Sequence, residues 1–367
     1  MLRRTLFVVG LCALLALSLR GTHDVPLRAA QATATPSLTR ITISGRIVAG
    51  TDGLQLPVGA PITLHVLRSA APDLPPAPIQ QIQAPLSAEG TFRFENLAIQ
   101  PDDLVFASVL HSGVQQASAI VKLEAPLRDF ELPITLYERT DDASVVQVLR
   151  AQHAFEFPSE SAAQILSAYV LRVQGDRFFM TDQRAPNGRA ISARFPLPIG
   201  AVALAFDPAL GESLSVGGSA IAPEVLLTRP LFPEQTYEVI FSYQLPLSGS
   251  ATLDQDYLYR TEQVEIRLPQ DAATLSSEKH SFRQRLETAQ GSGRAYHIYQ
   301  LEQPLQAADR LIFTLSRQLP PTPQPRRGAS APEDTTWFAV LVLGLTLLGA
   351  LSGAIWLARR LMQLMQR

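Results

Sequence analysis

The sequence predicts an all-β chain: a tandem beta-sandwich ectodomain led by an N-terminal signal segment and ended by one C-terminal transmembrane helix. Three observations predict it. Short runs rich in Val, Ile, Leu, Phe and Thr recur from Ile41 to Ser316, with turn residues between them. Two longer apolar runs stand near the ends, Thr5 to Leu19 and Trp337 to Leu357. Helical periodicity is almost missing between those two. Alternation at period two gives each strand one face for a core and one for water, and six or seven such strands need two sheets packed face to face.

The first apolar run follows "MLRR" and reads "TLFVVGLCALLALSL". A basic start and an apolar stretch of this length have the order of a secretory signal segment, so residues 1–32 are assigned to one. A cut after Ala32 satisfies the small-x-small rule through Ala30 and Ala32, but it lies far from the apolar run, and a retained anchor is the alternative reading. Cys12 is the only cysteine of the 367 residues and sits inside this run. A mature disulfide is excluded, so stability must come from core area.

From Arg40 to Tyr137 the strands read "ITISGRIV", "PITLHVL", "GTFRFENL", "LVFASVL", "ASAIVKL" and "FELPITL". In "GTFRFENL", Phe92 and Phe94 share the face that enters the core, while Thr91, Arg93 and Glu95 face water. The opening "ISGRIV", the connection "AGTDGLQLPVGAPITLHVL" and the later "GTFRFENL" together resemble the carboxypeptidase regulatory-like group of prealbumin (transthyretin) type domains. The resemblance covers about a quarter of the chain. It implies a beta-sandwich over 40–137 that serves as an accessory or adhesive module rather than a catalytic one. Two features depart from the pattern: "RSAAPDLPPAPIQQIQ" is a longer proline-bearing excursion, and the strand after Pro101 lacks a tyrosine near its start.

The name of that group invites a peptidase reading, and "HAFE" places His153 and Glu156 in an H-x-x-E spacing with His280 and His297 downstream. Zinc chemistry demands three ligands converging near 2 Å, an open fourth position and a carboxylate base. "VVQVLRAQHAFEF" instead reads as one long strand, on which residues three apart project to opposite faces. His153 and Glu156 are therefore expected to diverge as residues of a sheet surface, and no metal, catalytic or cofactor-binding residue is assigned.

Residues 140–317 form a second strand-rich domain, and two related half-modules are one way to divide it. "ISARFPLPIGAVALAF" and "VEIRLPQDAATLS" both carry a strand into a Leu-Pro turn, and Pro196, Pro198 and Pro269 mark strand ends because proline cannot donate to a ladder. In "PLFPEQTYEVIFSYQLPL", Pro233 opens a turn, Tyr237, Val239, Phe241 and Tyr243 face one way, and Pro246 stops the strand. "SESAAQILSAYVLRV" fits a helix face through Ala162, Ile165, Leu166, Tyr169, Val170 and Val173. It fits a strand equally well, and its β-branched and aromatic end favours the strand. "LDQDYLYR" offers Asp254, Asp256, Tyr257 and Tyr259 as an acidic turn suited to calcium or a sugar; solvated turn residues are the plainer reading. "RAYHIYQ", with Tyr296 and Tyr299 around His297, reads as one strand rather than a carbohydrate platform.

A net charge of -2 leaves no basic stripe for a nucleic-acid backbone. G-x-S-x-G, G-x-G-x-x-G and the phosphate-cradling G-x-x-x-x-G-K-[ST] are all missing from the sequence, which argues against a hydrolase of that class, a dinucleotide or ATP. Residues 319–334, "LPPTPQPRRGASAPED", read as a proline-rich stalk. Twenty-one uncharged residues, 337–357, span about 30 Å as a helix with a tryptophan near each end. Gly349 and Gly353 would let another helix approach. Glu333 and Asp334 precede this run and Arg359, Arg360 and Arg367 follow it, so the tail 358–367 is expected in the cytoplasm and the bulk of the chain outside the cell membrane. The function expected on these grounds is a non-enzymatic, single-pass, membrane-anchored extracytoplasmic structural or protein-interaction protein. Its expected partners are another envelope or membrane protein, within an envelope complex, and the lipid bilayer through residues 337–357. A glycan- or ligand-binding adhesive module is the alternative, and a hydrolase with an unrecognised site the second alternative. No cofactor is called for.

Overall fold

The structure, a computed structural model, describes residues 39–70, 74–126, 128–207, 210–289 and 293–317. The chain divides between Glu138 and Arg139 into two compact units. Both are all-β, with sheets that mix antiparallel and parallel pairs.

In the first unit the strand Thr39–Ala49 pairs antiparallel with Thr91–Ile99 and parallel with the short strands Phe130–Glu131 and Ile134–Leu136. A second sheet runs in the order Ala77–Pro85, Pro61–Arg68, Leu104–His111 and Val114–Ala117, with Val121–Lys122 also on Leu104–His111. Ile43, Phe92, Phe94 and Ile99 from the first sheet and Ile62, Leu64, Val66 and Val105 from the second share one core, an arrangement consistent with a β-sandwich. Alternation explains the stretch 91–97: Phe92 and Phe94 are buried, whereas Thr91, Arg93 and Glu95 are exposed. The strand kinks at Asn96, whose φ of 55° accompanies a register shift opposite Ile41 and Ile43, a bulge that a short polar side chain tolerates. Gly45 is required by packing, since a Cβ there would lie 2.2 Å from Phe92 Cζ and 2.3 Å from the Leu132 carbonyl oxygen. The end of the proline-bearing excursion is itself a strand, Ala77–Pro85, on the edge of the second sheet.

The second unit is organised on one eight-stranded sheet. Its order is Val202–Phe206, Thr236–Pro246, Ala162–Val173, Val146–Ser159, Val264–Pro269, Ala295–Leu301 and Phe282–Thr288, with Arg260–Thr261 also on Val146–Ser159. Two three-stranded sheets contribute to the same core: Ala193–Pro196, Pro223–Leu227 and Leu214–Gly218 in one, Ser250–Tyr257, Asp309–Arg317 and Ala273–Ser276 in the other. The ambiguous stretch 162–173 is a strand, with Ala163, Ile165, Ser167, Tyr169, Leu171 and Val173 buried in strict alternation. Pro196, Pro246 and Pro269 each end a strand. Pro233 lies in the turn before Thr236, and Glu234 takes the left-handed conformation there, φ 61°.

Among the described residues Ala143–Val145 is a single 3-10 turn, and no helix is long and apolar enough to cross a membrane. The expected tandem of sandwiches closed by a C-terminal transmembrane helix is thereby corrected to an all-β chain of several mixed sheets. The physical reason is where the backbone bonds go: they run sideways between strands, and the parallel pairing of Val146–Ser159 with Val264–Pro269 knits distant parts of the second unit into one sheet. The signal segment 1–32, the stalk 319–334, the run 337–357 and the tail 358–367 lie outside the described residues. With no spanning helix shown, four expectations are withdrawn: the single-pass cell-membrane location, the cytoplasmic C-terminus, the bilayer as partner and the envelope-complex role.

Candidate functional site

The feature of the second unit most open to a ligand is an aliphatic corner. Ile199, Ile221 and Val202 are 82%, 72% and 52% exposed. Two turns hold them together: the Leu197 N–H donates to the Pro223 carbonyl at 3.0 Å, and the Gly200 N–H donates to the Ile221 carbonyl at 3.1 Å. Glycine is needed where the hairpin reverses, because Gly218 has φ 74° and a Cβ there would meet the Ala222 carbonyl oxygen at 2.3 Å. Val216, also exposed, precedes that reversal. Beside the corner runs the sheet edge Val202–Phe206, "VALAF", which carries no charge. The large apolar side chains exposed among the described residues are all Val, Leu or Ile, so this surface offers no aromatic face for stacking a sugar ring.

Deeper in the same unit lies a buried polar group that sequence reasoning did not assemble. His153 and Ser167 occupy inward positions of the neighbouring strands Val146–Ser159 and Ala162–Val173, and they sit directly opposite each other in register. His153 Nδ1 lies 2.9 Å from Ser167 Oγ, and Nε2 lies 2.9 Å from the Tyr257 hydroxyl. Burial holds the imidazole neutral, lowering its pKa to about 4, and burial raises the phenols of Tyr169, Tyr243 and Tyr257. A serine bonded to a histidine is half of an acyl-transfer nucleophile. Here Ser167 is wholly buried, and the second imidazole nitrogen is occupied by a phenol where a triad would place a carboxylate. The void beside the ring, lined by His153, Phe155, Tyr243, Gln255, Tyr257 and Phe313 among others, has about 10 Å³ for a water-sized sphere, room for one water at most.

His153 and Glu156 point apart, as residues three apart on a strand must. The expectation that both lie on a sheet surface fails for His153, which is 5% exposed. Glu156 accepts from Arg294 at 2.6 Å and from the Tyr296 hydroxyl at 2.8 Å on the other face. His280 Nε2 meets the Arg310 carbonyl, and His297 Nδ1 meets the Gln284 amide. Among the described residues no group of three or more His, Cys, Asp or Glu side chains could hold a metal ion. Asp254 and Asp256 sit on the strand Ser250–Tyr257, not in a turn, and both pair with Arg310 at 3.4 and 2.8 Å. Tyr257 and Tyr259 turn inward, and the Tyr259 hydroxyl accepts from the Arg194 backbone N–H; its pKa is pushed up to about 12 by burial. Tyr299 is likewise buried. Sequence alone carries a signal for the aliphatic corner, the uncharged run "FPLPIGAVALAF", but none for the His153 group, whose members come from strands up to 104 residues apart.

No family model matches this sequence, and no curated protein matches it. Solved structures do resemble parts of it. The M1 zinc metallopeptidase from Deinococcus radiodurans aligns over 50% of this chain and 43% of its own, at 12% identity and a TM-score of 0.28. A putative protease from Parabacteroides distasonis aligns over 48% and 41%, at 10% identity and a TM-score of 0.25. The chain thus spans less than half the length of either, and superpositions this loose assign no chemistry to any residue here.

Proposed function

We propose that this chain is a non-catalytic ligand-binding module, and that it takes an uncharged, aliphatic ligand on the corner formed by Ile199, Val202 and Ile221. The exposure of three large aliphatic side chains on two hydrogen-bonded turns carries the reading, because exposed apolar side chains gathered at one place mark a binding surface rather than an ordinary one. The turns are pre-formed, so little conformational entropy is lost when a ligand arrives. The glycan form of the reading is the weaker one, for want of exposed aromatic rings. Likewise, the carboxypeptidase regulatory-like identity of residues 40–137 is proposed on the glycine of "ISGRIV" packed against Phe92, and it fits an accessory role.

The test is a library of short uncharged and charged peptides incubated with the purified full chain. Uncharged aliphatic members should be retained intact, and retention should fall at least tenfold in the doubly substituted Ile199→Lys, Ile221→Lys protein. Cleavage of any member, abolished by Ser167→Ala, would replace this reading with a hydrolase.

A further inference from the structure

The edge of the first unit's second sheet is a separate surface. The strand Ala77–Pro85 pairs with Pro61–Arg68 on one side, and among the described residues no strand pairs with its other side. Most of it is exposed, with only Ile82 and Ala84 half-buried. The Leu86 N–H donates to the Ala60 carbonyl at 3.0 Å and the Leu86 carbonyl accepts from the Gly59 N–H at 2.9 Å, so Leu86 directs its main chain toward the paired side. Alternation then turns the N–H and C=O groups of Gln81 and Gln83 to the open side. Unpaired strand edges recruit another strand unless something guards them. The far edge of the second unit's large sheet, Phe282–Thr288, is guarded by Arg283, Arg285 and Glu287. Residues 74–88 contain no charge at all.

We propose that Ala77–Pro85 pairs with the same strand of a second copy of this chain, antiparallel about a two-fold axis through Ile82. In that register Gln81 faces Gln83 of the other copy and Gln83 faces its Gln81, so the four outward groups of each strand close four main-chain bonds. In a two-fold pairing a strand meets its own residues, and any charge would meet a like charge. This strand carries none, and glutamine brings both a donor and an acceptor, so like can bond like. Pro85 offers no N–H, and a register shift sets off Ile79 beside Pro78, so the ladder is confined to the residues between them. Growth beyond a pair has no matching edge, because the sheet ends on the short strands Val114–Ala117 and Val121–Lys122.

Sedimentation of the purified full chain over a concentration series should show a monomer–dimer equilibrium. The double substitution Gln81→Lys, Gln83→Lys places like charges opposite each other on exposed positions and should weaken it at least tenfold with an unchanged circular-dichroism spectrum. In a Cys12→Ser background, Ile82→Cys should give a disulfide-linked dimer under mild oxidation, because residues on the axis form a close pair with Cα atoms about 4.5 Å apart. The control Gln284→Cys, on the guarded edge, should give no disulfide-linked dimer under the same oxidation. A chain that sediments as a monomer at every concentration overturns the proposal. So does a dimer indifferent to the two lysines, including one that Ile199→Lys dissolves.

Discussion

In the first unit the buried carboxylate of Asp103 is met by a cation. Arg68 donates to its two oxygens at 2.6 and 2.8 Å, and the Gln100 N–H donates at 2.8 Å. The second unit buries a titratable group with no ion beside it: His153 is met by the hydroxyls of Ser167 and Tyr257 and by the ring of Tyr169. Both solutions satisfy a buried polar group, which would otherwise cost about 1–3 kcal/mol or more. They fail under different insults. A charge pair breaks when its partner is removed, whereas a neutral imidazole breaks when a proton is supplied.

The apolar background common to both units sets the largest effect. Phe94 is 2% exposed and packs edge-on to Phe92 at 5.8 Å between ring centroids. Phe94→Ala should destabilise the first unit by about 3–5 kcal/mol. Urea denaturation followed by amide-exchange mass spectrometry reads the units separately, and a shift of the second unit's amides as large as the first's would break the comparison.

Acid should distinguish the units next. The folded pKa of His153 is lowered to about 4 from 6.5, so the unfolded chain binds the proton more readily than the folded one. Stability from this group is whole above about pH 6.5, falls as the pH drops, and is lost below about pH 4, some ~3 kcal/mol in all. Amide exchange at stepped pH should show the second unit losing protection over this window, and His153→Gln should flatten the slope. A slope that survives the substitution places the acid sensitivity elsewhere.

Removal of the cation should act on the first unit alone. Arg68→Ala leaves Asp103, 1% exposed, with one backbone N–H as its remaining partner. The loss should be about 2 kcal/mol, below the 3–5 typical of deeply buried pairs because the Arg68 side chain is 35% exposed. The pair Arg68→Met, Asp103→Leu should recover much of it, since apolar groups of similar size need no partner.

How much of this was legible in the sequence depended on range. Period-two alternation within a strand is local: it placed Phe92 and Phe94 inward, as found, and put Tyr237, Val239, Phe241 and Tyr243 on one shared face, which the fold buries. Prolines at strand ends were local as well. Which strands become neighbours is not local, and so the parallel join of Val146–Ser159 to Val264–Pro269 and the His153–Tyr257 bond left no trace. Local polarity also misled: the aspartates of "LDQDYLYR" suggested a turn, yet on a strand with one wet face they occupy the outward positions between Leu253, Gln255 and Tyr257. The acidic residues were read for their chemistry when their spacing was the signal.

The smallest effect sharpens the contrast between buried and exposed charge. Arg93 lies one residue from Phe94 on the opposite face of the strand, and it pairs with Glu95 at 2.9 Å while both side chains stay 61% exposed. Water solvates each partner almost as well as the other does, and holding two long side chains in one geometry costs rotamer entropy, so such pairs contribute about 0–1 kcal/mol. Arg93→Ala should therefore change the first unit's stability by no more than about 0.5 kcal/mol, against about 2 kcal/mol for Arg68→Ala in the same unit. Raising the salt concentration should erase the Arg93 effect and leave most of the Arg68 effect, because screening reaches the exposed pair and not the buried carboxylate. An Arg93→Ala loss equal to that of Arg68→Ala would mean that burial does not set the strength of these ion pairs.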